Sequence, residues 1–174
     1  METKRKLKFL CHTLDATGHI MPTMGMAQSL KNRGHEIIFL VNEAIADLVR
    51  SFGFVVQALK VKNPNNFSEN PGRDIGRMLI EMGYLSDKSS IEKLPLLVCD
   101  KEKNFLHTCY QLMADFNPQI EEAIRRENPD CFIMDHMFFP PALAKFKIPW
   151  VFSLSAQPLT LYDSPDLPPA FSGK

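Results

Sequence analysis

Between Leu7 and Val61 the chain alternates short apolar runs with amphipathic stretches, and that alternation leaves few folds open. Leu7 to Leu14 has the bulk of a strand, Ile37 to Val41 is an unbroken apolar run, and Phe54 to Val61 is a third strand candidate. A continuous apolar run signals a parallel strand covered on both faces. Between the strands, Met21, Met24, Ala27 and Leu30 recur at helical spacing, and Ala44 to Phe52 supplies a second short helix. Gly34 and Gly53 stand where these helices should stop, Gly34 beside Lys31 and Arg33. This order predicts an α/β fold with a doubly wound, mostly parallel sheet and right-handed crossovers.

Regularity breaks over 63–103, which opens on the loop-forming Asn-Pro and Asn-Pro-Gly of Asn63 to Gly72. Within it, Ile75 to Leu85 reads as a helix with Ile75, Met78, Leu79 and Met82 on one side. From Lys101 to Arg126, Phe105, Cys109, Leu112, Met113, Phe116, Ile120 and Ile124 recur at helical intervals, and Pro118 predicts a kink or a new start. Glu121 and Arg125 are spaced for a surface pair. Cys131 to Met134 is the next strand, ending at Asp135; Ala142 to Phe146 is a brief helix and Trp150 to Leu154 a further strand. One domain over 1–157 is expected, followed by a proline-rich loop over 158–174 that carries Pro158, Pro165, Pro168 and Pro169.

Composition removes several function classes. Twenty basic and twenty acidic residues in 174 give no net field that would draw nucleic acid or an anionic membrane. No apolar stretch approaches the roughly 18 residues of a membrane span. The run Phe9 to Cys11 is too short for a secretory core, so the chain reads as cytoplasmic. Cys11, Cys99, Cys109 and Cys131 have no paired or zinc-like spacing and read as thiols of a reducing compartment.

The chemistry gathers at Thr17-Gly18-His19-Ile20-Met21-Pro22, between the first strand and the first helix. Gly18 permits a tight turn there, and Pro22 suits the first turn of a helix. Open α/β sheets bind ligands beyond the carboxyl ends of their strands, and His19 would stand at that edge as a base working near neutral pH. Asp135, ending a strand on the same edge, could orient it. Simpler readings stay open: His19 caps the helix or lines the turn, and Asp135 merely begins a loop, with His136 a competitor for its role. His12, His19 and His136 match no zinc spacing, so no metal is expected. His35 falls at a helix carboxyl end and His107 on a helix face. The dinucleotide signature G-x-G-x-x-G is absent, which leaves Glu43 without the phosphate turn it would serve; neither a Walker loop nor a G-x-S-x-G elbow occurs. Phe138, Phe139, Pro140 and Pro141 could line an apolar pocket or pack a core, and Met78, Leu79, Met82 and Tyr84 invite the same two readings.

Several segments together resemble the N-terminal half of the UDP-dependent glycosyltransferases of the small-molecule (glucuronosyl and glucosyl) superfamily. They are Ala16 to Met24; Ala27 to Phe39, which reads AQSLKNRGHEIIF; Asn128 to Asp135; Lys147 to Ser153; and the tail Leu167 to Gly173. The resemblance implies the first of two Rossmann-like domains in a GT-B architecture. That domain would bind a small, lipophilic, hydroxyl-bearing acceptor. A C-terminal domain absent from this sequence would hold most of the co-substrate, a UDP-sugar. His19 falls on the catalytic base of direct inversion and Asp135 on its partner aspartate, with no metal or redox cofactor needed. Met78, Leu79, Met82, His136, Phe138 and Phe139 are the candidate acceptor-binding residues. Met21 departs from the family, which often has asparagine before the proline. Without the donor domain the chain is expected to be inactive alone. The rival reading is a non-catalytic small-molecule binding module that keeps the fold.

Overall fold

A computed structural model describes residues 5–62, 71–97, 105–155 and 165–166. Strands β1 (Lys8–Thr13), β2 (Glu36–Asn42), β3 (Val55–Leu59), β4 (Cys131–Asp135) and β5 (Trp150–Phe152) form one sheet in the order β3-β2-β1-β4-β5. Every pairing is parallel. The chain winds outward from β1 to β3, then returns to the other side of β1 and winds out to β5. This is the doubly wound α/β sheet expected from the alternation, and its order reverses beside β1.

Helices α1 (Thr17–Asn32) and α2 (Glu43–Ser51) cover one face of the sheet, where Ile20, Met24, Ala27, Ala46 and Val49 meet Phe9, Cys11, Phe39, Val41 and Ile133. Helices α5 (Phe105–Glu127) and α6 (Pro141–Phe146) cover the other, where Leu112, Met113, Phe116, Ile120 and Leu143 meet Leu10, Leu40, Phe132 and Met134. The side chains of β1, β2 and β4 thus alternate between two apolar layers, which is why their sequences read as continuous apolar runs. The remaining helices, α3 (Pro71–Glu81) and α4 (Ser90–Lys93), lie in the irregular segment, with α3 beside α5.

Several expectations are corrected. Helix α1 already begins at Thr17, so Gly18 and His19 belong to its first turn and not to a turn before it. Among the described residues the glycines with left-handed backbone are Gly34, Gly53 and Gly83; Gly18 is not among them. Extended Ala16 reverses the chain instead, its carbonyl taking the His19 and Ile20 amides at 2.9 and 3.0 Å. Pro22 therefore lies inside the helix, beyond its first turn.

Pro118 starts no new helix: α5 runs unbroken from Phe105 to Glu127. One lost backbone bond is outweighed where Phe116, Ile120, Ala123 and Ile124 anchor both sides of the proline in the core. Helix α3 starts at Pro71, a turn before Ile75, and stops at Glu81. The His35 amide closes the carboxyl end of α1 on the Leu30 carbonyl at 3.2 Å, while its ring turns to β1. Its Nδ1 accepts from the Leu7 amide at 3.2 Å and its ring meets Phe9 edge-on, tying down the start of β1. The Glu121–Arg125 pair forms at 2.7 Å. Cys99 and, apart from a turn at Pro165 and Asp166, the proline-rich tail lie outside the described residues. Among the described residues no helix is long and apolar enough to cross a membrane.

Phe39 is fully buried in β2, its ring 5.0 Å from that of Phe54. Phe39→Ala should lower unfolding free energy by about 3–5 kcal/mol, measured by urea denaturation. A loss under about 1 kcal/mol would contradict the close packing assigned to this layer.

Candidate active site

The register of β1 on β4 sets Thr13 beside Asp135, and the Leu14 amide donates to the Asp135 carbonyl at 2.8 Å. Beyond this edge the chain turns through Asp15 and Ala16 into α1, which packs back over the face shared by Cys11 and Ile133. The first turn of α1 consequently carries His19 to the carboxyl end of β4. His19 Nδ1 lies 3.0 Å from Asp135 Oδ1. The Asp135 side chain is 1% exposed and that of His19 20%.

An accepting carboxylate requires the hydrogen on His19 Nδ1, and that leaves the Nε2 lone pair available. Ser155, just past β5, brings its hydroxyl to 2.8 Å from the same Nδ1, and its amide approaches Asp135 Oδ1 at 3.5 Å. Thr23 Oγ1 donates to the His19 carbonyl at 2.9 Å, bracing the turn that holds the ring. The arrangement is a histidine with one nitrogen engaged and its ring partly open to solvent, which is what a general base needs.

More polar groups lie beneath this edge. Thr13 Oγ1 and Asp135 Oδ2, on in-register residues of neighbouring strands, are both buried without a hydrogen-bond partner among the described residues. Asp15 is buried where the chain leaves β1, and its Oδ1 takes the Asn42 amide at a long 3.4 Å. On the α5 side, the rings of His12 and His136 stack with centroids 5.3 Å apart, and Phe116 meets His12 edge-on.

The other sequence candidates divide. His136 adjoins Asp135 and is buried. Phe138 packs against the α5 core and meets Tyr110 edge-on, whereas Phe139 lies on Trp150 at 5.0 Å on the exposed side of β5. Met78, Leu79 and Met82 are half-buried on and just after α3, and no described contact joins them to His19 or Asp135. Ser155 and Asp15 went unread in the sequence. A serine after a strand and an aspartate in a loop carry no local signal; only the convergence of β1, β4 and β5 marks them. Among the described residues no group of three His, Cys, Asp or Glu is placed to hold a metal ion.

No family model matches the chain. Solved structures with a similar fold include the glycosyltransferase SnogD from Streptomyces nogalater, with TM-score 0.56 and 17% identity over 87% of this chain and 37% of that one. The glycosyltransferase SsfS6 from Streptomyces sp. SF2575, complexed with thymidine diphosphate, gives TM-score 0.57 and 14% identity over 85% of this chain and 38% of that one. Arabidopsis thaliana UGT89C1, complexed with quercetin, gives 0.54 and 14% over 84% and 34%. The chain thus spans little more than a third of the length of these proteins. At such identities the likeness is one of fold: the sheet and its helices have the architecture of an N-terminal Rossmann-like half of GT-B glycosyltransferases.

Asp15 yields a stability test. Burial pushes its carboxyl up to about 6 from an ordinary 3.8, against opposing hydrogen bonds from Asn42. The folded state therefore holds this proton more tightly than the unfolded chain. Its stabilising contribution is complete below about pH 4 and is lost as pH rises through about 6, a difference of about 3 kcal/mol. Asp15→Asn, which cannot ionise, should gain on the parent by up to that amount between about pH 4 and about pH 7 in urea titrations. A stability difference that stays flat across this range would contradict the buried-acid assignment.

Proposed function

We propose that the chain is the acceptor-binding half of an inverting glycosyltransferase, which moves a sugar from a UDP-sugar to a hydroxyl of a small, largely apolar acceptor. The observation that carries this reading is the 3.0 Å contact between His19 Nδ1 and Asp135 at the carboxyl edge of a GT-B-type sheet. Ligands of open α/β sheets bind outside this edge, where the strand order reverses.

In the proposed reaction His19 Nε2 takes the proton of the acceptor hydroxyl as its oxygen attacks the anomeric carbon. The new carbon–oxygen bond forms opposite the breaking bond to the diphosphate, and the nucleoside diphosphate leaves with that bond's electron pair. Attack from the opposite side inverts the anomeric centre. Asp135 holds the Nδ1 hydrogen, fixes the ring and balances the imidazolium charge as it develops. Ser155 gives Nδ1 a second oxygen partner and limits ring rotation. A donor-binding domain of the kind that completes GT-B enzymes would hold the nucleotide and stabilise the departing diphosphate.

In the protein that carries this segment, His19→Ala should lower kcat for transfer to alcohols and phenols about 10²–10⁴-fold while leaving affinity for the UDP-sugar nearly unchanged. Asp135→Asn should lower kcat with little change in acceptor KM, because it alters orientation and charge rather than contact with the acceptor. Product anomeric configuration, read by proton NMR, checks inversion. Full turnover by His19→Ala would remove it as the base. Acceptor binding with no transfer by the parent protein would favour a binding module.

A further inference from the structure

The stacked pair behind the dyad has an order that the proposed transfer does not explain. His12 Nδ1 lies 2.8 Å from the Leu40 carbonyl, which can only accept, so Nδ1 carries the hydrogen and Nε2 presents a lone pair. His136 has the opposite order. Its Nδ1 accepts from the Phe138 amide at 3.1 Å, so a neutral ring carries its hydrogen on Nε2. Both rings stay neutral near neutral pH. Burial pushes His12 down to about 4 despite the Leu40 bond. Burial, then the proximity of His12 and of His19, pushes His136 down to about 3.

His136 Nε2 finds no acceptor among the described residues, although the residue directly follows Asp135, the partner of His19, at the ligand edge. His12, whose own Nε2 is buried and also without a partner among the described residues, backs the ring on one side, with Phe138 tilted against it at 6.5 Å. An imidazole fixed in tautomer and orientation, with its hydrogen unspent, is a preorganised donor.

Resting on the acceptor-site reading above, we propose that His136 Nε2–H is a specificity-determining donor, and that the acceptors carry an uncharged oxygen able to take that bond in addition to the hydroxyl that reacts. Ether, carbonyl and further hydroxyl oxygens satisfy this. Carboxylates do not, because the buried side chains of Asp15 and Asp135 at the same edge repel an anion. The donor chooses among acceptors and takes no part in proton transfer.

Umbelliferone and β-naphthol test this, since they are fused bicyclic phenols of similar size and only umbelliferone has the extra ring and carbonyl oxygens. The chain should bind umbelliferone about fivefold more tightly, the range of one net hydrogen bond. His136→Phe should abolish the preference, and His136→Gln, which keeps an amide donor, should retain part of it. In imidazole nitrogen NMR spectra, His136 should remain the neutral Nε2–H form from about pH 5 to about pH 8, and its Nε2 resonance should move with umbelliferone alone. These spectra use the unaltered chain and decide the matter even where a variant fails to fold. Equal affinity for the two probes, an Nδ1–H tautomer, or titration of His136 within this range overturns the proposal alone. Binding of neither probe overturns the acceptor-site reading and the proposal together.

Discussion

The position of β1, hydrogen-bonded in parallel to β2 on one side and β4 on the other, is the constraint on which the candidate site depends. A parallel strand cannot be reached by a tight hairpin, so each neighbour arrives through a helical crossover and all five carboxyl ends fall on one edge. The β1–β4 register places Asp135 beside Thr13, and the immediate return of the chain into α1 brings His19 above it. A one-residue slip of β4 would turn Asp135 to the α5 side and His136 toward α1, exchanging the two sets of side chains. The apolar layers oppose such a slip, because Phe132 and Met134 belong to one core and Ile133 to the other.

That edge is also where the fold tolerates polar groups its interior would reject. His12, Thr13, Asp15, Asp135 and His136 are all buried there, and Thr13 Oγ1, Asp135 Oδ2 and His12 Nε2 lack partners among the described residues. An unmatched buried polar group costs about 1–3 kcal/mol. The opposite end of the sheet is managed differently: Asp130 takes the Lys8 amide and the Arg5 guanidinium, and Glu127 pairs with Lys8 Nζ. One end of the strands is electrostatically satisfied and serves stability. The other keeps unspent hydrogen-bonding capacity, on which the proposed acceptor site would draw.

What the sequence made legible follows from the range of each signal. Apolar runs and terminal glycines are local, so the strands, the helix ends at Gly34 and Gly53 and the doubly wound order could be read directly. Pro22 as a first-turn residue and Pro118 as a new helix start misled for a shared reason: helix interiors accept a proline where buried neighbours on both sides outweigh one missing amide bond, and packing of that kind has no local signature. His19 and Asp135 stood out by residue type and position at element boundaries. Ser155 did not, because its role arises only where β5 ends beside β4. The opposite tautomers of His12 and His136 depend on the Leu40 carbonyl and the Phe138 amide, backbone groups that every residue type except proline would supply.

Among the described residues β5 closes the sheet on the side away from β3, with Trp150 50% and Val151 52% exposed. An open strand edge flanked by apolar side chains is a template for another chain's backbone. Pro149 at its entry and Lys147 two residues earlier act as gatekeepers, but no charge lies within Trp150-Val151-Phe152 itself. Handled on its own, this chain is first a colloidal problem: its net charge is zero near neutrality, so self-repulsion is weakest where most assays are run. Buffers well away from its isoelectric point of about 7.0 and low protein concentration set the conditions under which ligand binding can be told apart from edge-to-edge association.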